Sequence, residues 1–216
     1  MFDAHKKCTA YDAGPNDHLS CVTLVSQPSR TRPYYTKEEI ELVAASCPNI
    51  RKLCFKYNPK FLTDFAELSV FENLSILEVW GGEYFSSNLF LLLETIGQNL
   101  TFLHLCHVEQ LSCQAVVHLA SHCSELREIK LDNCVFETDQ TENFEIDKVP
   151  YLLKLKVLSV LNFIPKEIFI LLVTRALNLE TLVLDAFVDV TEKIMLQVLE
   201  QNKFERLQDF IVYSSK

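Results

Sequence analysis

Along this chain the apolar positions fall into one recurring figure, apolar-x-x-apolar-x-apolar. It occurs eight times: Leu19, Val22, Leu24; Ile50, Leu53, Phe55; Leu74, Leu77, Val79; Leu100, Leu103, Leu105; Leu126, Ile129, Leu131; Leu155, Leu158, Val160; Leu179, Leu182, Leu184; and Leu207, Phe210, Val212. All 24 slots are apolar and 16 of them are Leu. Successive copies start 31, 24, 26, 26, 29, 24 and 28 residues apart. The end of each copy alternates apolar with other residues, the period of a short strand with one buried face. Between copies the spacing changes to a helical one. Thr36-Lys37-Glu38-Glu39 has the order of a capping box and predicts a helix through Ile40, Val43 and Ala44. Ser112 before Ala115, Val116, Leu119 and Ala120 predicts another, and Thr191 before Ile194, Met195, Val198 and Leu199 a third. One strand and one helix of this size cannot bury both apolar faces alone. Stacked copies make one continuous core, with a parallel strand face inside a curve and helices outside.

The mean interval, about 27 residues, lies in the range of leucine-rich repeats. Two segments narrow the resemblance. In Ala45-Ser46-Cys47-Pro48-Asn49-Ile50 and in Ala120-Ser121-His122-Cys123-Ser124-Glu125-Leu126, a helix ends with Cys three residues before the first slot. Cys134 stands three residues after a last slot, where such repeats carry Cys or Asn. On these residues the chain resembles the cysteine-containing repeats of F-box/LRR proteins, in the ribonuclease-inhibitor-like superfamily. The pattern is degenerate, since the other preceding positions are Asn16, Phe71, Gly97, Leu152, Ala176 and Phe204. The expected fold is α/β: a right-handed leucine-rich-repeat solenoid of about eight repeats over residues 19–216, after a polar, poorly ordered lead at residues 1–18.

The resemblance implies substrate recognition in SCF-type ubiquitin ligation. An F-box, a helical segment that docks the ligase adaptor, should precede the repeats, and the 18 residues before Leu19 have no room for one. Ile164-Pro165-Lys166-Glu167-Ile168-Phe169 looks superficially like an F-box opening, but the 24-residue interval between Leu155 and Leu179 needs it as the helix of its own repeat, with Pro165 near the first turn. Two alternatives stand beside the ligase reading. One is an F-box-independent scaffold or inhibitor that masks a single protein. The other is the C-terminal part of a longer F-box/LRR protein, whose open end an upstream segment or a partner would cover.

Charge and composition exclude several classes. Lys plus Arg number 20 and Asp plus Glu 29, a net charge of −9. That balance opposes nucleic acid, which needs a basic face, and anionic lipid for the same reason. No apolar run approaches the length of a transmembrane helix, and the first 30 residues hold no apolar signal core. Most of the eight cysteines are therefore expected as reduced, buried hydrophobes in a cytoplasmic chain, with the nucleus as the alternative compartment. Glu137–Pro150 carries five carboxylates against Lys148. It reads either as a solvated loop or as an acidic protrusion that steers a basic partner.

Candidate binding residues follow from the alternation. The position between the second and third slots gives the column Thr23, Cys54, Glu78, His104, Lys130, Ser159, Val183, Ile211, and the position after the third slot gives Val25, Lys56, Trp80, Cys106, Asp132, Leu161, Asp185, Tyr213. Both columns should face the concave side. Lys56, Tyr57, Trp80, Phe102, His104, His107, Lys130 and Asp132 form the predicted protein-binding surface, with Trp80, the one Trp of the chain, at its centre. The competing reading folds Trp80 down over Gly81-Gly82 as a cap on the sheet. A second, more apolar patch comprises Leu161, Val183, Ile211 and Tyr213. His104, Cys106 and His107 are close enough to suggest a metal, but adjacent strands offer Glu78, Trp80, Lys130 and Asp132, a poor zinc set. No hydrolase elbow, zincin helix or phosphate loop is present. The expectation is a non-catalytic protein-binding module without metal or cofactor.

Overall fold

The computed structural model describes residues 21–24, 37–56, 65–81, 86–137, 146–185 and 191–213. The lead, residues 1–18, lies outside the described residues. Eight strands form one sheet in chain order: β1 (Cys21–Leu24), β2 (Lys52–Lys56), β3 (Ile76–Trp80), β4 (Phe102–Cys106), β5 (Glu128–Asp132), β6 (Val157–Leu161), β7 (Thr181–Asp185) and β8 (Asp209–Tyr213). Every neighbouring pair is parallel, and the register follows the apolar figure slot for slot. Val22, Leu53, Leu77, Leu103, Ile129, Leu158, Leu182 and Phe210 form one row. Five helices connect the strands: α1 (Lys37–Ser46), α2 (Ser86–Ile96), α3 (Cys113–His122), α4 (Lys166–Arg175) and α5 (Glu192–Gln201). The interval between β2 and β3 holds a 3-10 segment, Phe65–Val70, and the interval before β6 another, Ile146–Lys148. Elements of successive intervals pack side by side, from α1 against Phe65–Val70 through to α4 against α5.

The three helix starts read from the sequence fall where the capping residues stand. At α5 the Thr191 side chain accepts a hydrogen bond from the Ile194 N–H. Ser112 precedes α3 without a side-chain cap. The F-box-like stretch is helical and internal: Ile168 and Phe169 of α4 are buried.

One turn recurs before the strands. The N–H of the first slot donates to the carbonyl three residues back, at Ile50 to Cys47, Leu74 to Phe71, Leu100 to Gly97, Leu126 to Cys123, Leu155 to Leu152, Leu179 to Ala176 and Leu207 to Phe204, all at 3.0–3.3 Å. The position where Cys47 and Cys123 stand is thus a turn position that other residues also fill. Size matters there: a Cβ on Gly97 would come within 2.9 Å of the Cys123 Sγ. Asparagines tie successive turns together. Asn73 Nδ2 donates to the Pro48 carbonyl, Asn99 Nδ2 to that of Glu72 and Asn178 Nδ2 to that of Leu153, at 2.7–3.1 Å.

Among the described residues the core is the slot residues from Ile50 to Leu184 plus the inner faces of the helices. Leu53, Leu77, Leu103, Ile129, Leu158 and Leu182 are all fully buried. Burial alternates along β3, β5 and β7, so the helices cover one face of the sheet and leave the other partly open. Parallel sheets are usually covered on both faces. Here, among the described residues, one face is left without a helix over it and presents a regular, partly open surface. Among the described residues no helix is long and apolar enough to cross a membrane.

Candidate functional site

On the bare face the strand register turns the sequence columns into three rows. The central row runs Thr23, Cys54, Glu78, His104, Lys130, Ser159, Val183, Ile211. A second contains Lys56, Trp80, Cys106, Asp132 and Leu161. A third contains Lys52, Ile76, Phe102, Glu128, Val157, Thr181 and Asp209. Neighbouring strands lie about 4.8 Å apart and neighbouring rows about 6.6 Å, within reach of long and aromatic side chains, so the centre of the face is one contiguous cluster.

His104 is its hub. Its Nε2 lies 2.8 Å from Asp132 Oδ2, a diagonal pair between β4 and β5. A carboxylate only accepts, so Nε2 carries the proton. Trp80 stands edge-on to the His104 ring at 5.6 Å and 67°, and Phe102 edge-on from the other side at 6.5 Å and 81°. Lys130 Nζ sits 5.3 Å from the Phe102 ring centroid and 2.9 Å from Glu128 Oε1. Lys52 Nζ is 2.7 Å from Glu78 Oε1. The charges of this face are therefore largely matched within it. Trp80 remains 40% exposed. It leans on His104 and still offers much of its surface to solvent.

Of the predicted site residues, Trp80, Phe102, His104, Lys130 and Asp132 come together. Lys56 is in register beside Trp80, and its side chain lies outside the described residues, as does all of Tyr57. His107 does not join the rows. It has φ 55° and is exposed, because the residue after the strand turns left-handed here. Gly81 (φ 78°) and Asn133 (φ 51°) make the same turn after β3 and β5. Each of these three N–H groups donates to the carbonyl of the next strand's end, at Cys106, Asp132 and Leu161. Two column positions expected on the open face are buried instead, Cys106 and Ser159. Both are small side chains between larger row neighbours, Trp80 and Asp132 around one, Lys130 and Val183 around the other, which shade them from solvent. Glu128 and Lys52, absent from the sequence-based cluster, stand in the same row as Phe102 and were reachable by the same two-residue offset.

The cluster is not built as a nucleophilic site. Cys106 is close to the His–Asp pair: ligand atoms of His104, Cys106 and Asp132 lie within 4.8 Å of one another. Burial, and after it the negative charge of Asp132, push the Cys106 thiol above its ordinary value. A nucleophilic cysteine needs the opposite shift. The His104 nitrogen that faces Asp132 is already engaged in a hydrogen bond. The second patch is open where β8 forms the sheet edge: Ile211 and Tyr213 are exposed, while Leu161 and Val183 are half-buried. In the acidic stretch, Ile146–Lys148 forms a single 3-10 turn, Asp147 lies 3.6 Å from Arg175, and residues 138–145 lie outside the described residues.

No protein-family profile matches this chain, and no curated protein shows significant similarity to it.

Proposed function

We propose that the chain is a right-handed leucine-rich-repeat solenoid of about eight repeats that binds a protein partner on its bare sheet face, without catalysis. The observation that carries this reading is the parallel sheet covered on one side only, with an exposed Trp80 set among Phe102, His104 and Lys130. An aromatic anchor ringed by side chains already paired with one another is the usual make-up of a binding hot spot. The recurring turn before β2 to β8 and the asparagine bonds between successive turns support the repeat reading. The resemblance to F-box/LRR proteins supplies the class of task, capture of a target protein for ubiquitin ligation, with ligase docking left to other segments. A stand-alone scaffold that masks one protein is the second reading, favoured by the internally matched charges of the face. Buried thiols at Cys106, Cys113, Cys123 and Cys134 support a reducing compartment, the cytoplasm or the nucleus.

The test is affinity purification of the chain from its native lysate with Trp80→Ala as control. The expected result is one protein partner captured by the parent chain and lost with Trp80→Ala, while thermal unfolding of the variant stays near that of the parent. Ligase adaptor and cullin subunits in the parent sample would decide for the ligase reading over the scaffold. A large fall in stability on Trp80→Ala would make Trp80 a core residue and remove the anchor from the proposal.

A further inference from the structure

A second cluster lies on the opposite side of the sheet, where α2 and α3 pack together. His118 and His122 are four residues apart on α3, which places both rings on one helix face one turn apart. Glu94 of α2 faces them. Ligand atoms of Glu94, His118 and His122 all lie within 4.8 Å of one another. Four features distinguish this group from chance surface neighbours. His118 Nδ1 is buried and has no hydrogen-bond partner. It lies 3.9 Å from Glu94 Oε1, too far for a hydrogen bond. Two ligands on a tetrahedral zinc with bonds near 2.1 Å stand about 3.4 Å apart, so Glu94 and His118 are about half an ångström from that separation, and the set within 4.8 Å closes by side-chain rotation. The rings are also held in place: Phe90 of α2 stacks on His118 at 4.2 Å and 10°, and the His118 and His122 rings lie 5.7 Å apart at 20°.

We propose that Glu94, His118 and His122 bind one divalent transition-metal ion, zinc being the natural occupant, with water completing the tetrahedron. The donor set of two imidazoles and one carboxylate suits zinc, nickel, cobalt and copper and is poor for calcium or magnesium. The ion satisfies the orphaned Nδ1 of His118. It also bridges two helices from successive intervals, so its effect is to fasten α2 to α3. The site is independent of the bare-face cluster. There, Nε2 of His104 is held by Asp132; here Nδ1 of His118 has no hydrogen-bond partner.

The experiment titrates the purified chain, carrying no histidine tag, with Zn²⁺ by calorimetry and with Co²⁺ by visible absorption. Variants are His122→Ala and Glu94→Gln, both at solvent-accessible positions, with His104→Ala as the control for the other cluster. The expected result is one equivalent bound, a tetrahedral Co²⁺ spectrum without a thiolate charge-transfer band, and a Zn²⁺-dependent rise in melting temperature. His122→Ala and Glu94→Gln should each weaken binding at least about tenfold, the least that even an outer partner of a metal site contributes. His104→Ala should leave it unchanged. No saturable binding, or binding untouched by His122→Ala and Glu94→Gln, overturns the proposal. So does a thiolate-to-cobalt band, which would put the ion on cysteine.

Discussion

α4 and α5 are both ten residues long, and both follow a strand of the same sheet. Yet α4 buries eight residues in succession, Ile168 to Arg175, whereas α5 buries Val198 alone. Their strands differ in the same way. β6 buries its three central residues, and every residue of β8 is exposed, with Phe210 at 52% and Val212 at 54%. The local patterns do not explain this, because Leu207, Phe210 and Val212 fill the apolar figure as well as Leu155, Leu158 and Val160 do. Neighbours explain it. α4 packs between α3 and α5, and β6 pairs on both edges; among the described residues β8 pairs with β7 only. A buried Leu is worth about 1.5–3 kcal/mol only when something removes its surface from water. In a stack of similar units that something is the next unit.

The largest difference should appear on placing a charge at the same slot in the two regions. Leu158 is fully buried, and Leu158→Asp puts an unpaired carboxylate into the shared core, which should abolish cooperative folding. Phe210→Asp at the equivalent slot of β8 leaves the charge in water and should keep a folded chain with a modestly lower melting temperature. Circular dichroism on heating reads both. Equal losses from the two substitutions would show that β8 is covered in solution.

A second contrast is chemical. The middle of the stack holds thiols that water does not reach. Burial pushes Cys123 and Cys134 from 9.0 up to about 12. In the folded chain they keep their protons up to about that pH, while the unfolded chain releases them from about 9 upward. The folded state therefore binds more protons across that window, and stability falls as pH rises through it. Below pH 9 the contribution is fully present. Urea unfolding at pH 7 and near pH 10 should show the decline, and a Cys123→Ala, Cys134→Ala double variant should flatten it. An unchanged slope in the double variant would assign the alkaline loss to other groups.

The strands were legible because β3 to β7 each carry two buried slots whose spacing admits one register, and a slip of one residue would expose them all. Thr36, Ser112 and Thr191 announced α1, α3 and α5 by their place in the sequence, and of these Thr191 forms the expected side-chain cap while Ser112 does not and Thr36 lies outside the described residues. The rows on the bare face followed from the same register, which brought Trp80, Phe102, His104, Lys130 and Asp132 together. What escaped depends on neighbours that no local pattern describes. Cys106 and Ser159 are buried by the size of adjacent side chains. His107 leaves its row through a left-handed turn that Gly81 makes easily and that a histidine reveals only in its φ angle. The pairing of Glu94 with His118 and His122 depends on how far α3 slides along α2, and intervals of 24 to 31 residues leave that offset free.

The smallest effect tests the joint between the two regions. Asn202, directly after α5, is buried, and its side-chain amide donates to the carbonyls of Val173 and Ala176 at 2.8 and 3.1 Å while its Oδ1 accepts from the Phe204 N–H at 3.0 Å. This one side chain links the end of α4 to the turn that leads into β8. Asn202→Ala removes the two donors and leaves buried carbonyls less satisfied, a cost of about 1–3 kcal/mol. Asn202→Asp keeps the shape but sets a carboxylate against the same carbonyls, so it should cost more than Ala. Where the loss falls matters more than its size. Because among the described residues α5 and β8 touch the rest on one side only, hydrogen exchange should accelerate in residues 192–213 and stay slow in α4 and β6. Equal acceleration in both would mean that the end of the stack and its middle open as one unit, and that the exposed edge is held by more than its contacts with β7 and α4.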